Sequence, residues 1–400
     1  MSSFIRIVFL MIMLAGNFLN FAAADHTIVQ GPEFVDAESV SEGFRNTADA
    51  IVSGFNSGDI QGVATHFDFE KAGAIAGKDL FNTDREYREF IKGITGARRN
   101  VLLAMIKQID AADGEMILTG YVKRPLGVMP QIRIDMGDHG IDYIEYQLER
   151  GKDGHYRVID WYQLSTGRMF SESIGIASRV MIDPNPNMLK KLLGITEVDH
   201  DVVDVVKAIG EARRRADYVE ANRLLESLSL EIRKTRIFLE LGIGFANLLG
   251  DDALYKERLQ MLADNHGDDP SAAFLLIDHF YYQGDADKAL ANIEIMEQQI
   301  GKDGYTAFLR ANLFYELAKD AEKAKTHYWE AIDIEPSLED PYHTLAYVYI
   351  LESDFANAVD VYRLLERNFG VQYSRDDFYD TPEVNTFKAS TEFQQWMSDR

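Results

Sequence analysis

A chain of 400 residues without a single cysteine has no disulfide, no thiol chemistry and no thiolate metal site. Its 65 acidic residues against 41 basic ones give a formal charge of −24, which repels nucleic acid and anionic lipid. The same charge serves solubility, or else attraction of a basic partner.

Residues Met1 to Ala24 carry the pattern of a secretory signal. Arg6 supplies the charged end, Ile7 to Leu14 the apolar core, and Ala22, Ala23 and Ala24 the small-residue cleavage site before Asp25. The competing reading is a retained anchor, because the apolar stretch approaches the ~18 residues that span a bilayer. Asn17 and Asn20 argue for cleavage. No cysteine follows the core, so a lipoprotein is excluded. No later stretch is apolar and long enough to cross a membrane. The expectation is export to the periplasm, cleavage after Ala24 and no membrane insertion thereafter.

Residues 25–183 read as an α+β domain. Asp25 to Glu38 is polar and reads as a loose lead-in. Ala48, Ile51, Val52 and Phe55 have helical spacing within Phe44 to Asn56. Gly58 and Asp59 restart a second helix through Val63 and Phe67, and Arg85 to Ile94 forms a third. After Asn100 the period becomes two. Met116 to Val122, Ile141 to Leu148 and His155 to Tyr162 read as strands, with Gly151 to Gly154 as a hairpin turn. Helices followed by an antiparallel meander share the layout of the NTF2-like cone, a resemblance of order alone. Such cones hold pockets, and that resemblance makes Tyr121, Tyr146, Asp160 and Tyr162 the candidate pocket residues. The hairpin register leaves open whether Tyr146 faces Val158 or Ile159, and a one-residue slip exchanges the faces. Asp135, Asp138, Gly140 and Asp142 crowd together, but without the distal Glu of a calcium loop they read as a solvated turn. Met169 to Met181 is helical. Two prolines, Pro184 and Pro186, then open a linker, 184–201.

From about 202 to 370 the chain repeats. Ala221, Tyr255, Ala289, Ala324 and Ala358 recur at steps of 34, 34, 35 and 34 residues, the mark of stacked supersecondary units. In the clearest unit Ala273, Leu276, Ile277 and Phe280 share one helical face. Gln283, Gly284 and Asp285 break the helix, and Ala289, Ile293 and Met296 resume the period. Phe308, Ala311, Tyr315, Ala324, Tyr328, Ala331 and Pro336 repeat the scheme. So do Tyr342, Leu345, Tyr349, Ala358, Tyr362 and Leu365. This resembles the tetratricopeptide repeat over some 170 residues, in five units. Tyr255 departs from the small residue that the family places at the helix crossing, which predicts splayed helices or an irregular unit there. Residues 371–400, with Thr381, Pro382, Phe387, Phe393 and Trp396, read as capping helices.

The family resemblance implies a concave face that holds a protein or peptide. Asp278, Tyr281, Tyr282, Glu316, His343 and Tyr347 fall on that face. Aromatics with a polar handle suit an interface, and the acids suit a partner with basic and aliphatic residues. The cationic set with which some relatives grip a free carboxy terminus is missing. No zinc-binding His pair, P-loop or nucleophile elbow occurs; Gly242, Ile243 and Gly244 imitate a dinucleotide loop inside a repeat helix. The expected function is therefore non-enzymatic, an exported interaction or scaffolding protein with no catalytic residues, metal or cofactor. The alternative is a small-ligand binder or enzyme that uses a pocket in the α+β domain.

Overall fold

The computed structural model describes residues 32–77, 81, 83–137, 140–182, 190 and 202–399. The signal segment 1–24 and nearly all of the linker 184–201 lie outside them. The described chain is an antiparallel sheet region with helices ahead of it, then a solenoid-like run of helices. The expected α+β front and all-α remainder are what this chain forms. Two compact units result. One runs to Tyr282 and includes Gln298–Gly301; the other comprises Gln283–Glu297 and Lys302–Arg400. Among the described residues no helix is long and apolar enough to cross a membrane.

In the first unit, helix α1 (Glu42–Asn56) buries Phe44, Ala48, Ile51 and Phe55 along one stripe. Helix α2 (Ile60–Thr65) opens at Asp59, whose side chain accepts from the Gly62 amide. It ends before Phe67, because Phe67 bridges to Val158 of the sheet. Helix α3 (Phe69–Ala76) follows, and α4 spans Asp84–Ala111. The sequence reading stopped that last helix at Ile94. Its buried stripe continues through Val101, Leu102, Met105 and Ile109, but the bulky run Val101 to Ile106 hides the period.

Six strands run in chain order: β1 Glu33–Val35, β2 Glu115–Arg124, β3 Gly127–Asp135, β4 Ile141–Arg150, β5 Tyr156–Gln163 and β6 Arg168–Met169. The supposed lead-in thus contains an edge strand, with Phe34 opposite Val122; three residues are too few to show a period. Strand β3 escaped detection because Pro130 interrupts it. Pairing of β3 with β4 begins only at Gln131 opposite Glu145, so the missing amide costs no bond there. The β4–β5 loop is Gly151 to His155, closed by the Gly151 amide on the His155 carbonyl at 2.8 Å. Tyr146 faces Trp161, neither Val158 nor Ile159: the loop from Gly151 to His155 sets a register that would place it opposite Asp160, and a bulge at Ile159 moves it on by one.

One sheet face packs Ile132, Ile134, Ile144, Tyr146, Val158 and Trp161 against Ile51, Phe55, Val63, Phe67, Leu102 and Met105. Strand alternation sends Gln131, Arg133, Tyr143, Glu145 and Tyr162 to the other face. Helix α5 (Phe170–Ile182) then leaves the sheet, with Phe170 stacked on Trp161 at 3.7 Å.

Most of the remaining helices come in pairs, five of them joined by one kind of turn. The residue before each second helix is an Asp whose carboxylate caps it: Asp217, Asp251, Asp285, Asp320 and Asp354. The residue ahead of each Asp has positive φ: Ala216 (55°), Gly250 (66°), Gly284 (72°), Lys319 (56°) and Ser353 (62°). These Asp residues step by 34, 34, 35 and 34, in phase with the crossing residues. Ala221, Ala289, Ala324 and Ala358 are all fully buried, and Tyr255 nearly so. In the second unit the chain ends in helices Pro382–Ala389 and Thr391–Ser398, whose Phe387, Phe393 and Trp396 are buried. Trp396 stacks on Tyr362 of the last paired helix at 5.5 Å.

Candidate interaction surface

The face residues divide between the two units. In the first, helix Ala273–Gln283 carries Asp278, Tyr281 and Tyr282. Asp278 is buried and accepts the Tyr255 hydroxyl at 2.7 Å. The odd Tyr at the crossing of the second repeat thus gains a carboxylate partner from the next helix. Tyr281 and Tyr282 are half-buried. Their rings meet edge-on at 5.9 Å, and Tyr282 meets Tyr255 the same way at 6.2 Å. The Lys256 ammonium sits 4.3 Å above the Tyr282 ring, a cation–π contact.

In the second unit, helix Gly304–Glu316 ends in Glu316, and helix Asp340–Leu351 carries His343 and Tyr347. All three are half-buried. His343 Nε2 lies 3.0 Å from Glu339 one turn back and 3.5 Å from the Tyr373 hydroxyl. Tyr315, which the periodicity assigned to the core, is half-buried as well. Burial raises its hydroxyl pKa, with Tyr347, Glu352 and Glu316 adding to the rise. Glu352 is also 2.7 Å from Lys325, which Glu322 holds at 2.7 Å from the other side. The second unit therefore gathers Tyr315, Glu316, Tyr347 and Glu352 into one another's electrostatic reach. Sequence spacing could have found Tyr315, which stands directly before Glu316.

The four candidate pocket residues are in different surroundings. Tyr121 packs with Phe44 and Ala48 near the sheet's first edge. Tyr146 is in the helix-covered core, edge-on to Phe67 at 5.5 Å, and its buried hydroxyl has no hydrogen-bond partner among the described residues. Burial pushes that hydroxyl's pKa far up. Tyr162 occupies the opposite face, opposite Glu145 across the ladder. Asp160 accepts the Ser171 hydroxyl and, at 2.9 Å, the Ser171 amide at the start of α5. Its pKa is pushed up to about 6 by burial, against the lowering effect of those bonds.

Several buried charges were not anticipated. Asp142, read as part of a solvated turn, opens β4 instead and is fully buried. It accepts the Ser165 hydroxyl at 2.6 Å and the Gln163 amide at 2.7 Å, because β5 and the turn after it fold over its end of the sheet. Its pKa also rises to about 6, through burial. Arg124 grips Glu145 with two bonds, 2.9 and 2.6 Å, and donates to the Gln299 carbonyl. Glu240 sits between Arg236, one helical turn back, and Arg168 of β6 at 3.8 Å. Charges placed between apolar neighbours, such as Glu145 between Ile144 and Tyr146, were the available signal. No group of three or more His, Asp and Glu side chains among the described residues is placed to hold a metal ion. Neither a family model nor a curated protein matches the chain.

Proposed function

We propose that this is an exported protein of the tetratricopeptide-repeat type whose helices hold a partner protein. The observation that carries the reading is the five-fold recurrence of one turn, a left-handed residue followed by a capping Asp, in phase with buried crossing residues. Such repeats stack to expose a long helical surface. Each unit carries half-buried tyrosines with polar handles: Tyr281 and Tyr282 in one, Tyr315 and Tyr347 in the other. Glu316, Glu339 and Glu352 near the second group favour a partner that offers basic and aliphatic side chains. Asp142, Asp160 and Glu145 of the sheet region are each engaged by fixed donors. That speaks for a structural role of those acids over a catalytic one.

A photo-crosslinking residue in place of Tyr347 tests the reading. In a periplasmic extract it should join the chain to one discrete protein, while the same probe at the exposed Arg367 should not. Equal labelling from both positions, or none from Tyr347, would count against it.

A further inference from the structure

Helix α4 carries a surface that the repeat-based reading does not use. Between Glu89 and Asp110 it has no acidic residue, yet it carries Lys92, Arg98, Arg99 and Lys107. That gap stands out in a chain of net charge −24. Arg88, Lys92 and Arg99, with Thr95 and Gly96 between them, fall along one line of the helix. All five are exposed. The line from Arg88 to Arg99 is about 16 Å long at 1.5 Å per residue.

Several exposed cations of this unit are matched by acids. Lys71 pairs with Glu149, Arg85 with Glu89, Lys123 with Glu33 and Arg157 with Asp153. Arg88, Lys92 and Arg99 have no ion pair among the described residues. The acid nearest in sequence to Arg88, Glu89, is occupied by Arg85 at 3.1 Å. Among the described residues, a side chain added at Gly93 or Gly96 would meet nothing within 4 Å, so the helix backbone is open to them beside the cations.

We infer that this face of α4 binds a short acidic segment of another protein. The size of the stripe against the screening length selects that partner. Charges are felt over about 8–10 Å at physiological salt. A segment about as long as the stripe sees mainly Arg88, Lys92 and Arg99. A nucleic acid or an anionic bilayer extends well beyond them and meets the acidic remainder of the chain. The open backbone at Gly93 and Gly96 lets such a segment lie close, with its carboxylates on the cations.

The probe is a fluorescein-labelled oligoglutamate peptide, titrated with the full chain and followed by anisotropy at low and at high salt. Wild type should bind it, and more weakly as salt rises. Arg88→Glu/Lys92→Glu/Arg99→Glu should reduce the affinity tenfold or more at unchanged helicity. The neutral triple variant Arg88→Gln/Lys92→Gln/Arg99→Gln should fall between the two, and decides the matter if the reversed one misfolds. Reversal of the exposed Lys319, Arg367 and Arg375 should leave binding intact. Absence of peptide binding by wild type would overturn the inference, as would undiminished binding by the α4 variants. Tighter binding of phosphatidylglycerol vesicles or single-stranded DNA than of the peptide would also overturn it.

Discussion

The Arg258 guanidinium occupies the space that a side chain on Gly242 would fill. A Cβ at Gly242 would come within 2.2 Å of Arg258 Nη1. Arg258 is buried and pairs with Glu226, which also holds Arg233. The glycine that imitates a dinucleotide loop is therefore there to admit a buried cation. Gly242→Ala should destabilise the chain by about 1–3 kcal/mol, the usual cost of overpacking. Two residues on, Gly244 has nothing within 4 Å of the same position among the described residues. Gly244→Ala should be neutral or stabilising by up to about 1 kcal/mol, since Ala is the better helix former. Urea unfolding of the two variants checks the pair.

The repeat turns make a second prediction. Lys319 and Ser353 hold positive φ that Gly250 and Gly284 adopt without a steric penalty. Lys319→Gly and Ser353→Gly should each stabilise the chain by about 1 kcal/mol or less. The same change at a regular helical position such as Lys323 should destabilise it by about as much. Thermal midpoints of the three variants report the signs.

Arg124 and Glu145 are both nearly inaccessible and bonded twice to each other. Glu145→Gln leaves a buried guanidinium short of its counter-charge and should cost about 3–5 kcal/mol. Replacing both, as Arg124→Met/Glu145→Leu, should cost clearly less than the single change. A double-mutant cycle on unfolding free energies measures the difference.

Asp142 and Asp160 set an unusual pH dependence. Burial raises both to about 6 in the folded chain, against 3.8 for the free group. The folded state then holds these protons more tightly than the unfolded one, so stability rises as pH falls from about 6 to about 4. Each group accounts for up to about 3 kcal/mol over that window. The urea midpoint of wild type should increase from pH 7 to pH 5. Asp160→Asn should show a smaller increase. An equal change in both would exclude Asp160 as a source.

What the sequence disclosed and what it hid differ by the range of the interaction. Ala289 and Ala324 were legible as crossing residues because the packing that buries them recurs at a fixed step. Glycine advertises the turn conformation at Gly250 and Gly284. Lys319 and Ser353 adopt it without such a signal. The capping Asp residues keep the same step and could have been read directly. Strand β3 was concealed by Pro130, and the register at Tyr146 by the length of the Gly151–His155 loop and a bulge at Ile159 that no local pattern reveals. The environments of Asp142, Asp160 and Glu240 depend on Ser165, Ser171 and Arg168, brought in by tertiary folding. Asp278 was read as an acid on the face, and its bond to Tyr255 reaches back 23 positions along the chain.

Under the proposed function the half-buried tyrosines of the repeats bind a partner and do not serve as core. The most direct measurement is the affinity of the crosslinked partner, once isolated, for wild type and for Tyr282→Ala/Tyr347→Ala. The double variant should lose tenfold or more, about 1.4 kcal/mol, with its melting temperature nearly unchanged. A double variant that folds normally and binds with wild-type affinity would contradict it, and one that unfolds would show that the rings belong to the core.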